Sequence, residues 1–241
     1  MIRRWRMMIA IISRDWIAMT RSPHLWIATM GFSTILGLIF CLIVNSTHQS
    51  DAISMMVAAV GFILMIVSPL LASKSIIDDC QLGLEDVLFS SPMPTSVWVI
   101  ARWASGMIAT VALLLSSLGI VVALCLFGHP DIGTIVTAYL GWSAMGSAFV
   151  AMGVWAAVVG RSSIGSSLLS IGTLLLLWLL APLSVLTRGR TGELLRETSL
   201  VHHTYGFEQG VIVGADIAYF SILTLVFIGL SIATLNSRRL E

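Results

Sequence analysis

Lysine occurs once in these 241 residues, as Lys74, and charged side chains make up only 10% of the chain. A phosphate-binding loop needs a glycine-rich turn ending in a lysine that reaches the nucleotide phosphates. Lys74 stands in Leu70-Leu71-Ala72-Ser73-Lys74-Ser75, with no glycine beside it. ATP hydrolysis by that mechanism is excluded, so any nucleotide engine must be a second polypeptide. The three cysteines are Cys41 and Cys125, in or near apolar runs, and Cys80, in a polar break. They form neither a disulfide framework nor a metal framework and read as small apolar fillers. No H-E-x-x-H and no G-x-S-x-G occurs. His24, His48, His129, His202 and His203 all fall at the ends of apolar runs or between them. The adjacent pair His202-His203 can hold a metal weakly, although a solvated pair is the commoner case. The formal net charge of +1 gives nucleic acid nothing to bind.

What fills the chain instead is apolar. Hydrophobic residues make up 57% of it, and its mean hydropathy is +0.97. A bilayer core of about 30 Å takes roughly 20 apolar residues per crossing helix. Six segments qualify, at 25–45, 53–73, 97–127, 131–159, 163–185 and 216–236. The third and fourth exceed one crossing and have room to tilt or to extend beyond the bilayer. The expected fold is an all-α polytopic membrane protein in a single transmembrane domain. The span interiors carry no charged residue except Arg102, near one end of the third. Intramembrane charges mark proton relays and ion sites, so their scarcity argues against an ion-coupled carrier.

The basic residues set the orientation. Arg3, Arg4, Arg6, Arg14, Arg21, Lys74, Arg102, Arg161, Arg238 and Arg239 fall on one side of a six-span arrangement, and only Arg188, Arg190 and Arg196 on the other. The positive-inside rule places both termini in the cytoplasm. Residues 1–22 lack a small-x-small cleavage site, and Arg14, Asp15 and Arg21 interrupt their apolar run, unlike a signal peptide. They fit a membrane-surface helix, in which Trp5, Met8, Ile9, Ile12, Trp16 and Met19 share one face; a plain basic flank to the first span is the simpler reading. Ser22-Pro23 then turns the chain into the bilayer.

The largest cytoplasmic segment is 74–96. Asp78, Asp79, Glu85 and Asp86 bracket a short apolar run, and Ser90-Ser91-Pro92-Met93-Pro94 closes it. A short amphipathic helix held below the membrane suits a groove in a soluble partner. A solvated connector whose acids hold it off the lipid head groups suits the same residues. Here the segment resembles the signature of type-2 ABC transporter permeases, in the branch of the gliding-motility and nitrous-oxide-accessory membrane subunits. That signature runs from paired acids and two basic residues to G-T-x-E-L-L-L-T-S-P, with a G-K some ten residues on. Asp78-Asp79 match the paired acids, Gly83 the glycine, Asp86 the glutamate, Val87-Leu88-Phe89 the aliphatic run, Ser90-Ser91-Pro92 the close and Arg102 the lysine. Cys80-Gln81 lack the basic pair, Leu84 replaces the threonine and Ala101 the second glycine. The branch also enters its last span through G-V-(I/L)-x-x-x-D-x-x-Y-F and ends in two arginines. Gly210-Val211-Ile212, Asp216, Tyr219-Phe220 and Arg238-Arg239 are similar.

The resemblance implies half of the membrane domain of an ATP-driven exporter in a bacterial inner membrane. It pairs with a second copy or a paralogue and with two cytoplasmic ATPase subunits. ATP and Mg belong to the ATPase, with no cofactor on this chain. The coupling residues it implies are Asp78, Asp79, Gly83, Glu85, Asp86, Val87, Leu88, Phe89, Pro92 and Arg102, with an elbow helix carrying Trp5, Met8, Ile12 and Trp16. In the outer loop 187–214 it implies a short helical hairpin acting as a gate, with Tyr205, Phe207, Gly210, Asp216, Tyr219 and Phe220; a packed surface loop fits equally. A peptide antibiotic exported for self-immunity is the expected cargo. Lipid or a small hydrophobic drug follows, and a non-transporting anchor for an ATPase is the competing class.

Inside the spans, Ser143, Ser147 and Ala151, and again Ser162, Ser166 and Ser170, are spaced for close helix packing. Trp26, Trp98 and Trp103 read as anchors in the aromatic belt.

Overall fold

The computed structural model describes residues 2–46, 49–83, 93–127, 131–187 and 189–239. Backbone polar groups in lipid must be satisfied within the chain, which for apolar runs this long means helix. Among the described residues there is no strand, and the helices are α1 Ile2–Arg21, α2 Pro23–Ser46, α3 Gln49–Gln81, α4 Thr95–Ser116, α5 Leu118–Phe127, α6 Ile132–Gly160, α7 Ser163–Leu186, α8 Arg190–Thr198, α9 Leu200–Glu208 and α10 Gly214–Arg238. Six stretches are long and apolar enough to cross a membrane: Pro23–Leu42, Met55–Gln81, Thr95–Ala123, Ile132–Gly160, Ser163–Leu186 and Gly214–Arg238. The chain is an all-α protein of membrane-spanning character.

The core forms around α6. Its most apolar window is 67% buried, against 17% for α2 and 11% for α7, so α6 is the interior element and the other two turn apolar faces outward. It packs on α3, α10, α7 and α4. Small side chains permit this, since in lipid close backbone approach replaces the hydrophobic drive available in water. Gly153 lies on the backbone of Pro69 in α3, where a Cβ would come within 2.5 Å of the Pro69 carbonyl oxygen. Gly106 of α4 likewise faces Ala72 and Val150. Hydroxyls within this packing mostly return to their own helices, as Thr110 does to the Gly106 carbonyl and Ser231 to that of Phe227. Ser147 alone of the Ser143–Ala151 set bonds across helices, to Thr224 of α10 at 3.0 Å. Ser162 caps α7 by accepting from the Gly165 N–H, while Ser166 and Ser170 are buried beside it.

Three expectations need correction. The segment 97–127 is two helices, because the chain turns at Ser117. There the Ser117 hydroxyl donates to the Leu114 carbonyl and accepts from the Tyr139 hydroxyl at 2.6 Å, which stabilises the break from the side. Helix α3 continues eight residues past 73, so Lys74, Asp78 and Asp79 stand on the last two turns of the same helix that carries the second span. Of the three tryptophans, only Trp26 is exposed as a belt residue should be. Trp98 is buried, and the Trp103 indole donates to the Ser147 carbonyl at 3.2 Å.

The two ends of the bundle differ in chemistry. One end gathers α1, the end of α3, the start of α4, the 160–162 turn and the end of α10. The opposite end carries α8, α9 and Gly210, which packs on Thr134 at the start of α6.

Candidate functional site

The first end is built around Arg102. A guanidinium buried to 1% exposure requires partners, since a lone charge in such a setting costs several kcal/mol. It has two carboxylates. Nη1 donates to Asp15 Oδ2 of α1 at 2.7 Å, and Nη2 donates to Asp79 Oδ2 of α3. Arg14, half-exposed, closes the ring by donating through Nη2 to the same Asp79 oxygen at 2.7 Å and to Asp15 Oδ1 at 3.2 Å. The Trp98 ring lies 5.2 Å from the Arg102 guanidinium, a cation–π contact one helical turn away. Asp15 is as buried as Arg102, at 2%. Four charges from three helices are thus fastened together, with two cations balancing two anions.

Sequence and local structure explain each placement. Asp15 is the one acid in an otherwise basic amphipathic helix, and it occupies the face turned to α4. Trp5, Ile9, Trp16 and Ile17 are exposed on other faces, while Met8, Ile12 and Met19 are half-buried. The extension of α3 carries Asp79 to the level of Arg102. Asp78 points outward to Lys74 at 3.3 Å, a solvated pair worth little. Gly83 then turns the chain with φ of 69°, a conformation that suits glycine. Of the expected coupling residues, Glu85, Asp86, Val87, Leu88, Phe89 and Pro92 lie outside the described residues.

Where the chain re-emerges, the last helix holds it. Arg239 donates to the Met93 carbonyl at 3.3 Å, and Thr95 bonds Asn236 at 2.7 Å. Arg238 donates to the Val158 carbonyl at 2.7 Å, meeting an orphan carbonyl at the end of α6 with a cation, as a helix C-terminus favours. The segment 84–92 therefore leaves from a charge-locked helix end and returns to one bonded to α10.

At the opposite end, α8 and α9 form a hairpin against α10. Tyr219 donates its hydroxyl to the Thr198 carbonyl at 2.7 Å, and its ring stacks on His203 at 4.0 Å. His203 Nδ1 lies 2.8 Å from Asp216 Oδ1, and Nε2 lies 2.8 Å from the Glu197 carbonyl. Gly206 makes room for Asp216, whose Oδ2 lies 2.9 Å from where a Cβ would stand. Phe207 is buried against Gly141 and tilted toward Phe220, at 6.4 Å between ring centres. Tyr205 is exposed and accepts from Gln209, and Gly210 takes φ of 75° in the turn. The expected outer set thus divides: Phe207, Asp216, Tyr219 and Phe220 pack together, Gly210 supplies the turn, and Tyr205 faces out.

Beneath α9 lies a cavity of about 530 Å³ between α3, α6 and α7. Phe62, Met65, Trp142, Trp178 and Phe207 give it apolar walls. The Trp142 indole already donates to the Val57 carbonyl at 3.1 Å, so that wall presents a satisfied donor.

Sequence reasoning did not single out Arg14, Asp15, Asn236 or His203 for these roles. For Asp15 a signal existed, an acid inside a basic amphipathic helix. For Asn236 there was none. Comparison with protein-family models and with curated proteins finds no match for this chain.

Proposed function

We propose that the chain is the membrane-spanning subunit of an ATP-driven exporter of the type-2 ABC permease class. It pairs with a second permease half and engages a cytoplasmic ATPase through residues 84–92 and α1. The observation that supports this reading is the Arg102–Asp15–Asp79–Arg14 lock. A push on 84–92 arrives at Asp79 on one side and at Met93 on the other. From Asp79 it passes through hydrogen-bonded charges to α1 and α4, and from Met93 through Arg239 to α10. Displacement of one short segment thereby reaches four helices, α3, α1, α4 and α10. In this reading the ring acts mechanically, as a fastening between helices.

The apolar cavity under α9 suits the uncharged, aliphatic or aromatic part of a cargo, in the size range of small-ligand pockets of about 300–1,000 Å³. A peptide with apolar side chains is the cargo we favour.

The test is a gentle detergent pull-down of the tagged chain from its native membrane, with mass spectrometry and ATPase assay of what co-purifies. A stoichiometric nucleotide-binding subunit that is lost in Asp86→Ala/Leu88→Ala supports the reading. A chain that inserts and folds but retains no ATPase overturns it.

A further inference from the structure

The outer hairpin is fastened by a side chain whose hydrogen-bonding capacity depends on pH. His203 presents both ring nitrogens to acceptors: Nδ1 to the Asp216 carboxylate and Nε2 to the Glu197 carbonyl, each at 2.8 Å. A backbone carbonyl has no proton to give, and neither has Asp216 as a carboxylate. A neutral imidazole carries one N–H and one lone pair, so it satisfies one of these contacts and turns a lone pair on the other. Only the imidazolium donates to both.

The surroundings fit a cation at this point. The Glu197 carbonyl is among the last of α8, where four carbonyls lack helical partners and the helix end is partially negative. Its neighbour, the Thr198 carbonyl, is met by Tyr219 from α10. Asp216 is 8% exposed, and His203 is the partner its Oδ1 has. The π-face of Tyr219, parallel to the imidazole at 4.0 Å, covers the ring. The remaining charged and titratable groups nearby are Arg196 and the Glu197 carboxylate on α8 and His202 on α9. Arg196 donates to His202 Nδ1 at 3.4 Å. Burial and, after it, the Arg196 charge hold His202 below the ordinary histidine range. The two adjacent histidines are therefore set apart, one toward the neutral form and one facing two acceptors.

We propose that His203 is a proton-operated latch that fastens the α8–α9 hairpin to the start of α10. Protonated, it ties three helices at one point. Deprotonated, it releases either the α8 end or Asp216, and the hairpin is held only by Tyr219 and by apolar packing through Phe207. Acid closes the latch, and alkali loosens it. Because α9 roofs the apolar cavity, the state of the latch governs how freely that cavity meets the outer face. The inference rests on the hairpin geometry alone and stands whether or not the chain binds an ATPase.

The experiment is amide hydrogen exchange over 190–208 in the full chain, reconstituted in lipid nanodiscs, from pH 5 to pH 8 and corrected for intrinsic rates. This window spans the range in which imidazole titrates. Protection should be higher at pH 5 and fall about tenfold or more by pH 8, the scale of one hydrogen bond to a charged group. Asp216→Asn should flatten the response, since the amide can donate to a neutral Nδ1 while Nε2–H still serves Glu197. His202→Ala should leave it intact. Ring nitrogen-15 shifts of His203 give a second readout that no substitution perturbs, with two N–H groups at pH 5 and one at pH 8. Protection that ignores pH overturns the latch. So does a pH response retained in Asp216→Asn, one lost in His202→Ala, or a His203 ring in one protonation form throughout.

Discussion

Arg102 shows what one buried charge demands. Removing one partner from a buried, hydrogen-bonded ion pair costs about 3–5 kcal/mol, while removing both costs far less. Asp15→Ala should therefore lower stability by about that amount, measured by detergent-driven unfolding in mixed micelles. Asp15→Ala combined with Arg102→Leu should lose clearly less than the sum of the single changes, because the stranded guanidinium is gone as well. Arg14→Ala should cost little, since Arg14 is 52% exposed. The need for partners was legible in the sequence, where Arg102 is the single charge in the span interiors. Their identity was not. Asp15 lies 87 positions away and read only as an interruption of an apolar run. His203 was likewise visible as half of a histidine pair, but its acceptors come from a turn of backbone and from a residue 13 positions on, which no local pattern reveals.

Among the helices, the α3–α6 contact brings backbone against backbone. The Gly153 position leaves no room for a side chain against Pro69, and backbone cannot swing aside as a flexible side chain can. Gly153→Leu should reduce the yield of folded monomer sharply, with a penalty at the upper end of or above the roughly 1–3 kcal/mol usual for overpacking. Gly229→Ala in α10, with open space around it, should leave stability unchanged or raise it slightly. Size-exclusion recovery after mild heating separates the two. Sequence periodicity located the small-residue face of α6 at Ser143, Ser147 and Ala151, and the close approach to α3 falls two residues beyond it, at Gly153. Spacing identifies a face, but the crossing point depends on the partner helix. The end of α3 shows the same limit. Hydropathy falls off after residue 73, yet the helix runs to Gln81, because Asp79 finds cations there and needs no lipid. The break at Ser117 carries no proline and sits within an apolar run, so the tyrosine that steadies it had to be seen in three dimensions.

For the molecule as a whole, the number and placement of the described helices long and apolar enough to cross a membrane was legible to within a turn or two at most ends, because thickness and apolar length are tied by simple geometry. The grouping of polar contacts places Arg14 and Asp15 of α1, the 160–162 turn and the end of α10 at one end, and the hairpin at the other. With the native cysteines replaced, single cysteines at Gly83 and Ser162 should react with an impermeant maleimide from one side of sealed vesicles, and cysteines at Gly189 and Gln209 from the other. Labelling of Gly83 and Gly189 from the same side would contradict the arrangement.

The ring of Arg14, Asp15, Asp79 and Arg102 also bears on how the chain is made. Its members arrive on three elements that enter the membrane at different moments, and Arg102 is the last. If α3 and α4 insert inverted, Asp79 and Arg102 end on the far side from Asp15, and a carboxylate and a guanidinium meant for burial stay in water. The correct topology is then the only one in which all four charges meet. The ring thus ties the docking of the N-terminal helix to the orientation of α3 and α4, and a mis-threaded chain would leave that helix without its buried contacts.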